Sequence, residues 1–196
     1  MTNEQILQKY VGDQHALESH IFQAINKQVK LATNDAEAKA KFQEITATLQ
    51  RHLDSLKTRL DALGGSATHP IKEAGAAALG VAAGLIDKVR AEEISKDLRD
   101  DYTAINLSIV SYIMLNATAL ALGDHETATL AERNVKDSAD FVVWINNHMP
   151  KFVIKDLGDS GASIDSSAVA ASEAMVKRIW RDSKDSSPMD SGTGSK

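Results

Sequence analysis

The sequence predicts an all-α protein built around a four-helix bundle, and three observations support this. Residues 128–149 repeat small and apolar side chains at alternating steps of three and four, the seam of a helix packed into a bundle. Gly64-Gly65 and Gly123-Asp124 separate long amphipathic segments in the manner of helix ends and tight turns. Aromatic residues make up only 5% of the chain and alanine is abundant, which favours helices over sheets.

Composition excludes several classes of function. The formal net charge of −5 gives no electrostatic footprint for nucleic acid, so no nucleic-acid partner is expected. The chain has no cysteine, which excludes disulfides, thiolate metal sites and cysteine nucleophiles. The first residues lack the pattern of a signal peptide, and no apolar run approaches about 18 residues. We therefore expect a cytoplasmic protein without a transmembrane segment.

The first helical hairpin is predicted between residues 13 and 63. Its first helix covers 13–32, with Asp13 as the N-cap, and its second covers 35–63, capped by Asn34-Asp35 and ended by Gly64-Gly65. A short loop between two such helices predicts an antiparallel pair. The buried face of the second helix is marked by Phe42, Ile45, Leu49, Leu53, Leu56, Leu60 and Leu63.

A crossover over residues 66–100 separates this hairpin from the second. It contains a predicted helix at 71–91, in which Gly80 and Gly84 permit close packing. The second hairpin consists of helices at 97–122 and 124–148, and Pro150 is expected to terminate the latter. The bundle domain is thus predicted to span residues 1–155.

Residues 156–196 form a separate C-terminal region in this interpretation. A Gly-, Ser- and Asp-rich linker at 156–168 leads to a short amphipathic helix at 166–181, followed by a polar tail expected to be disordered. The helix places Met175, Ile179 and Trp180 beside Lys177 and Arg178. Such a helix either docks on the bundle or binds a protein partner or an anionic surface.

Several segments of residues 13–149 resemble a known family. These segments are Asp13-Gln-His-Ala-Leu-Glu18, His52-Leu-Asp54, Arg59-Leu-Asp-Ala-Leu-Gly64, and Tyr112, Leu115 and Ala117 with Leu122-Gly123-Asp124. They are similar to the YciE/YciF-type ferritin-like family of bacterial stress proteins. The resemblance implies a ferritin-like four-helix bundle, in which a helical crossover joins two antiparallel hairpins.

The resemblance also implies where a di-metal centre would lie. Glu18 matches the carboxylate of the first helix, and His52 points inward from the second. On the third helix, Ile105 and Ser108 stand where the family has two carboxylates. On the fourth, a glutamate pair aligns with Asp137 and Ser138. Because a di-metal centre needs four to six donors, this chain is expected to have no metal cofactor. Iron or manganese, held by Glu18, His52 and Asp137 as relic ligands, is the alternative.

Each of these residues also has a purely structural interpretation. Glu18 is alternatively a buried carboxylate hydrogen-bonded to His52 or Tyr112, because an unpartnered buried charge is costly. His52 is alternatively a satisfied core histidine. Ser108, Tyr112 and Ser138 are expected to line the bundle interior, either as core or against a ligand.

Three functions are open from the sequence. The preferred one is a non-catalytic ferritin-like protein, structural or stress-protective, which acts as a homo-oligomer, expected to be a dimer, or through a partner. The second is an iron or manganese protein acting on peroxide or a small substrate. The third is a binding module that holds an apolar ligand, because the small core residues leave volume to fill. Those residues are Ala104, Ser108, Ala128, Ala131 and Ser138.

Overall fold

The computed structural model describes residues 1–32, 35–65 and 93–185, and every regular element in these ranges is a helix. The helices are α1 (Asn3–Leu31), α2 (Ala36–Ala62), α3 (Ile94–Ala121), α4 (His125–Asp159) and α5 (Ala168–Asp185). The all-α prediction is confirmed. The chain has two compact units, Met1–Ile145 and Asn146–Lys196. The predicted domain boundary at residue 155 stays a prediction.

Side-chain contacts in the first unit fix the directions of its four long helices. In each contacting pair, the contact positions advance along one helix as they move back along the other, so the pair is antiparallel. The contacts are Gln8–Leu63 and Glu18–His52 for α1 and α2, Gln14–Ser108 and Gln28–Asp101 for α1 and α3, His52–Asp137 and Arg59–Thr127 for α2 and α4, and Tyr112–Asn134 and Asn116–Ala128 for α3 and α4. Since α2 and α3 are both antiparallel to α1, they are parallel to each other. The end of α2 and the start of α3 therefore lie at opposite ends of the bundle, as two hairpins joined by a crossover require.

The helix predicted at 71–91 lies outside the described residues, as does its Gly80 and Gly84 spacing. The polar tail from residue 186 onward lies outside them as well. The predictions for these segments stay predictions.

The first hairpin begins earlier than the sequence predicts. Helix α1 starts at Asn3, with Thr2 as the N-cap in a reciprocal capping box with Gln5, so Asp13 is not the cap. The cap of α2 is predicted correctly, because the Asp35 side chain accepts the backbone N–H of Ala38. Past the end of α2, Gly64 has a φ of +77°, the left-handed conformation expected there.

The prediction that Pro150 ends the fourth helix is wrong. Helix α4 continues through Pro150 to Asp159. A proline removes one helical N–H and crowds one carbonyl, at a cost of about 3 kcal/mol. The residues after it, KFVIKDL, resume a helical pattern and continue the helix. The predicted linker at 156–168 is correspondingly shorter, and α5 extends from Ala168 to Asp185.

The core of the first unit contains two described apolar clusters. The larger contains Val11, Leu56, Leu60, Tyr112, Leu115 and Ala131. The smaller contains Leu7, Ala119 and Ala128. Leu63 packs against both clusters and joins them at the end of α2. Together, the two clusters pack the α1–α2 hairpin against the α3–α4 hairpin at the end of the bundle that contains the Gly123 turn.

Helix α3 is apolar and long enough to cross a membrane by length and composition alone. The sequence prediction, which found no such run, did not detect this. Core helices of bundles pass the same test, and α3 buries Ile105, Tyr112 and Leu115 in this one.

Candidate functional site

Glu18 is the central charged group of the bundle interior. It lies on α1 with 0% of its side chain exposed. Ser108 on α3 donates its hydroxyl to Glu18 Oε1 at 2.5 Å, and His52 Nδ1 on α2 lies 3.3 Å from Glu18 Oε2. Both carboxylate oxygens therefore have partners within the chain. Such contacts offset the large cost of burying a carboxylate.

His52 links Glu18 to the half-exposed Asp137. Its Nε2 lies 3.3 Å from Asp137 Oδ2 on α4, so the two ring nitrogens face two different carboxylates. A neutral imidazole donates from one nitrogen only, whereas a ring protonated on both donates to both carboxylates. Tyr112 packs its ring edge-on against His52, with the centroids 6.0 Å apart. The structure thus brings Glu18, His52 and Asp137 together in one chain of contacts.

Gln14 completes the contacts around Ser108. Its Nε2 donates to Ser108 Oγ at 2.9 Å, while its Oε1 is buried without a hydrogen-bond partner in the described structure. Sequence reasoning missed this residue. The available signal was its position four residues before Glu18, on the same face of α1.

A second hydrogen bond joins the helices of the second hairpin. Asn134 Nδ2 on α4 donates to the Tyr112 hydroxyl at 2.9 Å, and both side chains are fully buried. Burial, reinforced by the negative charge of Glu18, raises the pKa of Tyr112 well above its ordinary value. The phenol is therefore neutral over the whole physiological range. Ser138 is buried one turn after Asn134, so Ser108, Tyr112 and Ser138 all lie in the core. Asn134 was also missed from the sequence.

A polar groove between α2 and α4 connects this interior to solvent. It encloses about 850 Å³, and His52, Asn134 and Asp137 line it. Asp137 is 36% exposed there, so one end of the Glu18–His52–Asp137 series reaches the surface. The remaining lining is Arg51, Asp54, Ser55, Thr58, Arg59, Glu126, Thr129, Leu130 and Arg133.

Arg59 closes one end of the groove by joining α2 to the start of α4. Its guanidinium donates to Asp124, Glu126 and the Thr127 hydroxyl. Burial alone would raise the pKa of Asp124, but hydrogen bonds from Thr127 and Arg59 lower it below the ordinary value. The charge of Arg59 is therefore largely compensated within the chain.

A second buried acidic group lies away from this site, near the start of α3. Asp97 and Asp101 are both buried. Gln28 donates to Asp101 Oδ1 at 2.9 Å, and Asp101 Oδ2 has no partner within the described residues. Burial raises the pKa of Asp101 well above its usual value, although the Gln28 hydrogen bond opposes this.

Among the residues that the structure describes, the interior donors do not fit a di-metal centre. Such a centre needs about four to six inward oxygen or nitrogen donors, contributed by all four helices. On α3, the buried positions Ile105 and Ser108 present a hydrocarbon and a hydroxyl. The hydroxyl already donates to Glu18, and His52 directs both nitrogens at carboxylates. Beside Ser108, the oxygen without a hydrogen-bond partner in the described residues is the uncharged Oε1 of Gln14.

Comparison with known proteins places the chain in a family. Residues 2–158 match the family model described as "Domain of unknown function (DUF892)". No curated protein matches the chain significantly.

Three solved structures show the same fold. A protein from Xanthomonas campestris pv. campestris superposes with a TM-score of 0.68 at 19% identity, covering 83% of this chain and 100% of that one. The Escherichia coli stress protein YciF superposes with a TM-score of 0.62 at 15% identity, covering 78% and 98%. A Desulfovibrio desulfuricans bacterioferritin, which has a diiron site, superposes with a TM-score of 0.63 at 20% identity, covering 99% and 95%. The chain therefore belongs to the DUF892 family and is a ferritin-like helical bundle of the YciF type.

Proposed function

We propose that this chain is a non-catalytic ferritin-like protein in which a hydrogen-bonded network takes the place of a di-metal centre. The observation that carries the proposal is the partnering of Glu18. Its two carboxylate oxygens are taken up by Ser108 and His52, at the position where the family resemblance puts a metal ligand. A carboxylate occupied in this way has to give up existing contacts before it binds an ion.

The role we propose is structural or stress-protective, through self-association or a partner. The similarity of the fold to the stress protein YciF supports the stress-related part. The exposed side chains of Met175, Ile179 and Trp180 on α5 support a protein partner for that helix. Truncation after residue 165 is expected to abolish capture of such a partner while leaving the helicity of the bundle unchanged.

Metal analysis tests the proposal directly. The full chain is expressed with iron and manganese supplied, purified without chelator, and analysed by mass spectrometry of its metals beside a Glu18→Gln variant. We expect both proteins to hold well below one ion per chain. Two ions per wild-type chain, lost in Glu18→Gln, would overturn the proposal.

A second candidate is a protein that binds one iron or manganese ion and acts on peroxide or a small substrate. The convergence of Glu18, His52 and Asp137 beside the polar groove favours it. It requires one ion per chain that disappears in both Glu18→Gln and Asp137→Asn, with peroxide consumption lost in parallel. An unchanged metal content in Asp137→Asn rejects this candidate.

The apolar-ligand alternative has less support. Ala131, one of the small residues that motivated it, packs in the core cluster beside Tyr112, Leu115 and Leu56. Ser108 is surrounded by Gln14 and Glu18. Neighbouring side chains therefore take up the volume at these two positions.

A further inference from the structure

The buried pair of Gln28 and Asp101 contains two oxygen atoms that accept no hydrogen bond. Gln28 Nε2 on α1 donates to Asp101 Oδ1 on α3 at 2.9 Å, whereas Asp101 Oδ2 and Gln28 Oε1 have no partner in the described structure. Each of the two side chains is only 4% exposed, so bulk solvent does not hydrate these oxygens. Buried polar atoms are nearly always paired, and two unpaired acceptors on side chains that touch each other point to a ligand that both can bind.

A second carboxylate adds negative charge beside this pair. Asp97 is 4% exposed and lies four residues before Asp101, on the same face of α3. Burial is the main cause that raises the pKa of Asp101, the hydrogen bond from Gln28 opposes the rise, and the negative charges of Asp97 and Asp100 add to it. The surroundings of Asp101 therefore favour whatever neutralises its charge, which is either a proton or a cation.

The pair is separate from the network around Glu18. Gln28 follows Glu18 on α1 by ten residues, which is about 15 Å along the helix axis. Asp101 lies near the start of α3, at the end of the bundle away from the Gly123 turn. A ligand bound between Gln28 and Asp101 would therefore join α1 to α3 without contact with Glu18 or His52.

The donor atoms of this position are oxygens. Carboxylate and amide oxygens suit hard cations such as Mg²⁺ and Ca²⁺, whereas zinc and copper sites use imidazole nitrogen or thiolate sulfur. The described residues contain no group of three or more His, Cys, Asp and Glu side chains that could hold a metal ion. The position instead offers two carboxylates and one amide oxygen, so water has to complete the coordination shell. Mg²⁺ in particular is commonly held by one or two carboxylates and keeps several waters.

We propose that Gln28, Asp97 and Asp101 bind one divalent cation of the oxygen-preferring class, Mg²⁺ or Ca²⁺, which links α1 to α3. Gln28 Oε1 and Asp101 Oδ2 supply contacts from the two helices, and the charge of Asp97 adds to the attraction. A cation satisfies both oxygens and offsets the buried charge, whereas a water molecule that donates to both leaves the charge in place. The proposal goes beyond the proposed function, because it involves neither Glu18 nor His52.

Thermal unfolding of the full chain with and without the cation tests the proposal. The midpoint is measured in chelator, then with MgCl₂ or CaCl₂ in about hundredfold excess over the dissociation constant, and with NaCl at the same ionic strength. We expect at least one of the two divalent cations to raise the midpoint by about 5 °C relative to NaCl, and the cation with the larger shift identifies the preferred ion. An equal shift in NaCl would mean that salt only screens the acidic residues, and it overturns the proposal.

Three variants locate the cation. Asp101→Asn should lose the shift, whereas Asp100→Asn removes the same charge from the next residue, whose carboxylate pairs with Arg99, and should keep most of it. Glu18→Gln should keep the whole shift, so a failure of this proposal can be distinguished from a failure of the proposed function. A shift that persists in Asp101→Asn, or one that Asp100→Asn abolishes equally, contradicts the site.

Calorimetric titration of the folded chain provides a measurement that does not depend on unfolding or on the Asp101→Asn variant. We expect the wild type to bind one Mg²⁺ or Ca²⁺ ion per chain. Gln28→Met keeps the length of the side chain and removes the amide oxygen, and it should bind the ion at least tenfold more weakly. A wild type that binds neither ion would mean that a proton or a water molecule occupies the position. That result, or unchanged binding by Gln28→Met, overturns the proposal.

Discussion

The two hairpins bring different kinds of side chain to the same interior. The α1–α2 hairpin contributes the ionisable groups Glu18 and His52. The fully buried polar groups that face them from the α3–α4 hairpin are the hydroxyls of Ser108 and Tyr112 and the amide of Asn134. In an α3–α4 hairpin with carboxylates at these places, four helices would share the charge of metal ions. Here Glu18 on the first hairpin accepts a hydrogen bond from Ser108 on the second, whereas Asn134 donates to Tyr112 within the second hairpin. The buried carboxylate of the first hairpin therefore depends on the second hairpin for one of its two partners.

The largest expected effect comes from removing the base that faces the buried carboxylate. His52→Ala leaves Glu18 without one of its two partners, and we expect a loss of about 3–5 kcal/mol in the free energy of unfolding. The double variant Glu18→Gln/His52→Gln should recover at least half of this loss, because no buried charge remains. Urea denaturation of the wild type, His52→Ala, the double variant and its two single variants, Glu18→Gln and His52→Gln, measures it. An additive double variant would show that the two side chains do not interact.

Removing the donor on the opposite hairpin should have a smaller effect. Ser108→Ala takes a hydrogen bond away from Glu18, and hydrogen bonds to charged groups contribute about 1.5–3 kcal/mol. Ser111→Ala, on the same helix but only half-buried, serves as the control and should cost less than about 0.5 kcal/mol. If the two variants unfold at the same urea concentration, the α3–α4 hairpin does not supply the compensation described above.

The neutral bond within the second hairpin should matter less than either charged contact. Tyr112→Phe keeps the ring but leaves the Asn134 amide without its acceptor, a cost of about 1–2 kcal/mol. Tyr102→Phe, half-buried on the same helix, is the matched control and should be nearly neutral. Thermal unfolding by circular dichroism compares them. A Tyr112→Phe protein as stable as wild type would show that the hydrogen bond between Asn134 and Tyr112 does not contribute to the free energy of unfolding.

The smallest effect is expected at Asp101, a buried acid with no counterpart to the Glu18 network. Its pKa is raised on folding, so folding disfavours its charged form. The penalty is absent below the ordinary pKa of 3.8, grows as the pH rises toward the folded pKa, and is constant above it. Asp101→Asn should therefore stabilise the chain at neutral pH, because the amide carries no charge to bury. The gain should vanish near pH 4.

Urea denaturation between pH 4 and pH 8 measures this difference, with the exposed Asp54→Asn as the control. A stabilisation by Asp101→Asn that does not change with pH would assign the effect to packing. A destabilisation at neutral pH would show that Asp101 is charged and paired in the folded chain.

Local signals determined how much of the fold could be predicted. The start and end of α2 follow from Asp35 and Gly64, whose effects act within a few residues. The start of α1 was missed because Asp13 was taken as the N-cap, although the helix and its buried residues already begin near Leu7. Gln14 looks like part of a solvent face in the sequence, but it is buried and donates to Ser108 of α3. The prediction at Pro150 relied on the local effect of a proline alone, whereas the residues that follow it continue the helix to Asp159.

The site could be predicted only where burial of a residue requires a partner, as it does for a carboxylate. The contact of Glu18 with His52 follows from the cost of burying a carboxylate, and it was anticipated. Gln14 and Asn134 were not, because amides are common on surfaces and nothing local fixes the register between hairpins. The burial of Asp101 was hidden in the same way, within a run of charges that suits a helix start.

The separation along the chain of the residues that meet in the interior has a consequence for folding. Glu18 and Ser108 are 90 positions apart and His52 and Asp137 are 85 apart, whereas each hairpin is held mainly by nearby residues. Contacts that are close in sequence form first, and distant ones wait for loop closure. We therefore expect the network to assemble last, when the hairpins dock. If the hairpins docked in another register, Glu18 would be buried without the hydrogen-bond donor Ser108. The cost of burying this carboxylate should therefore favour one alignment of the two hairpins.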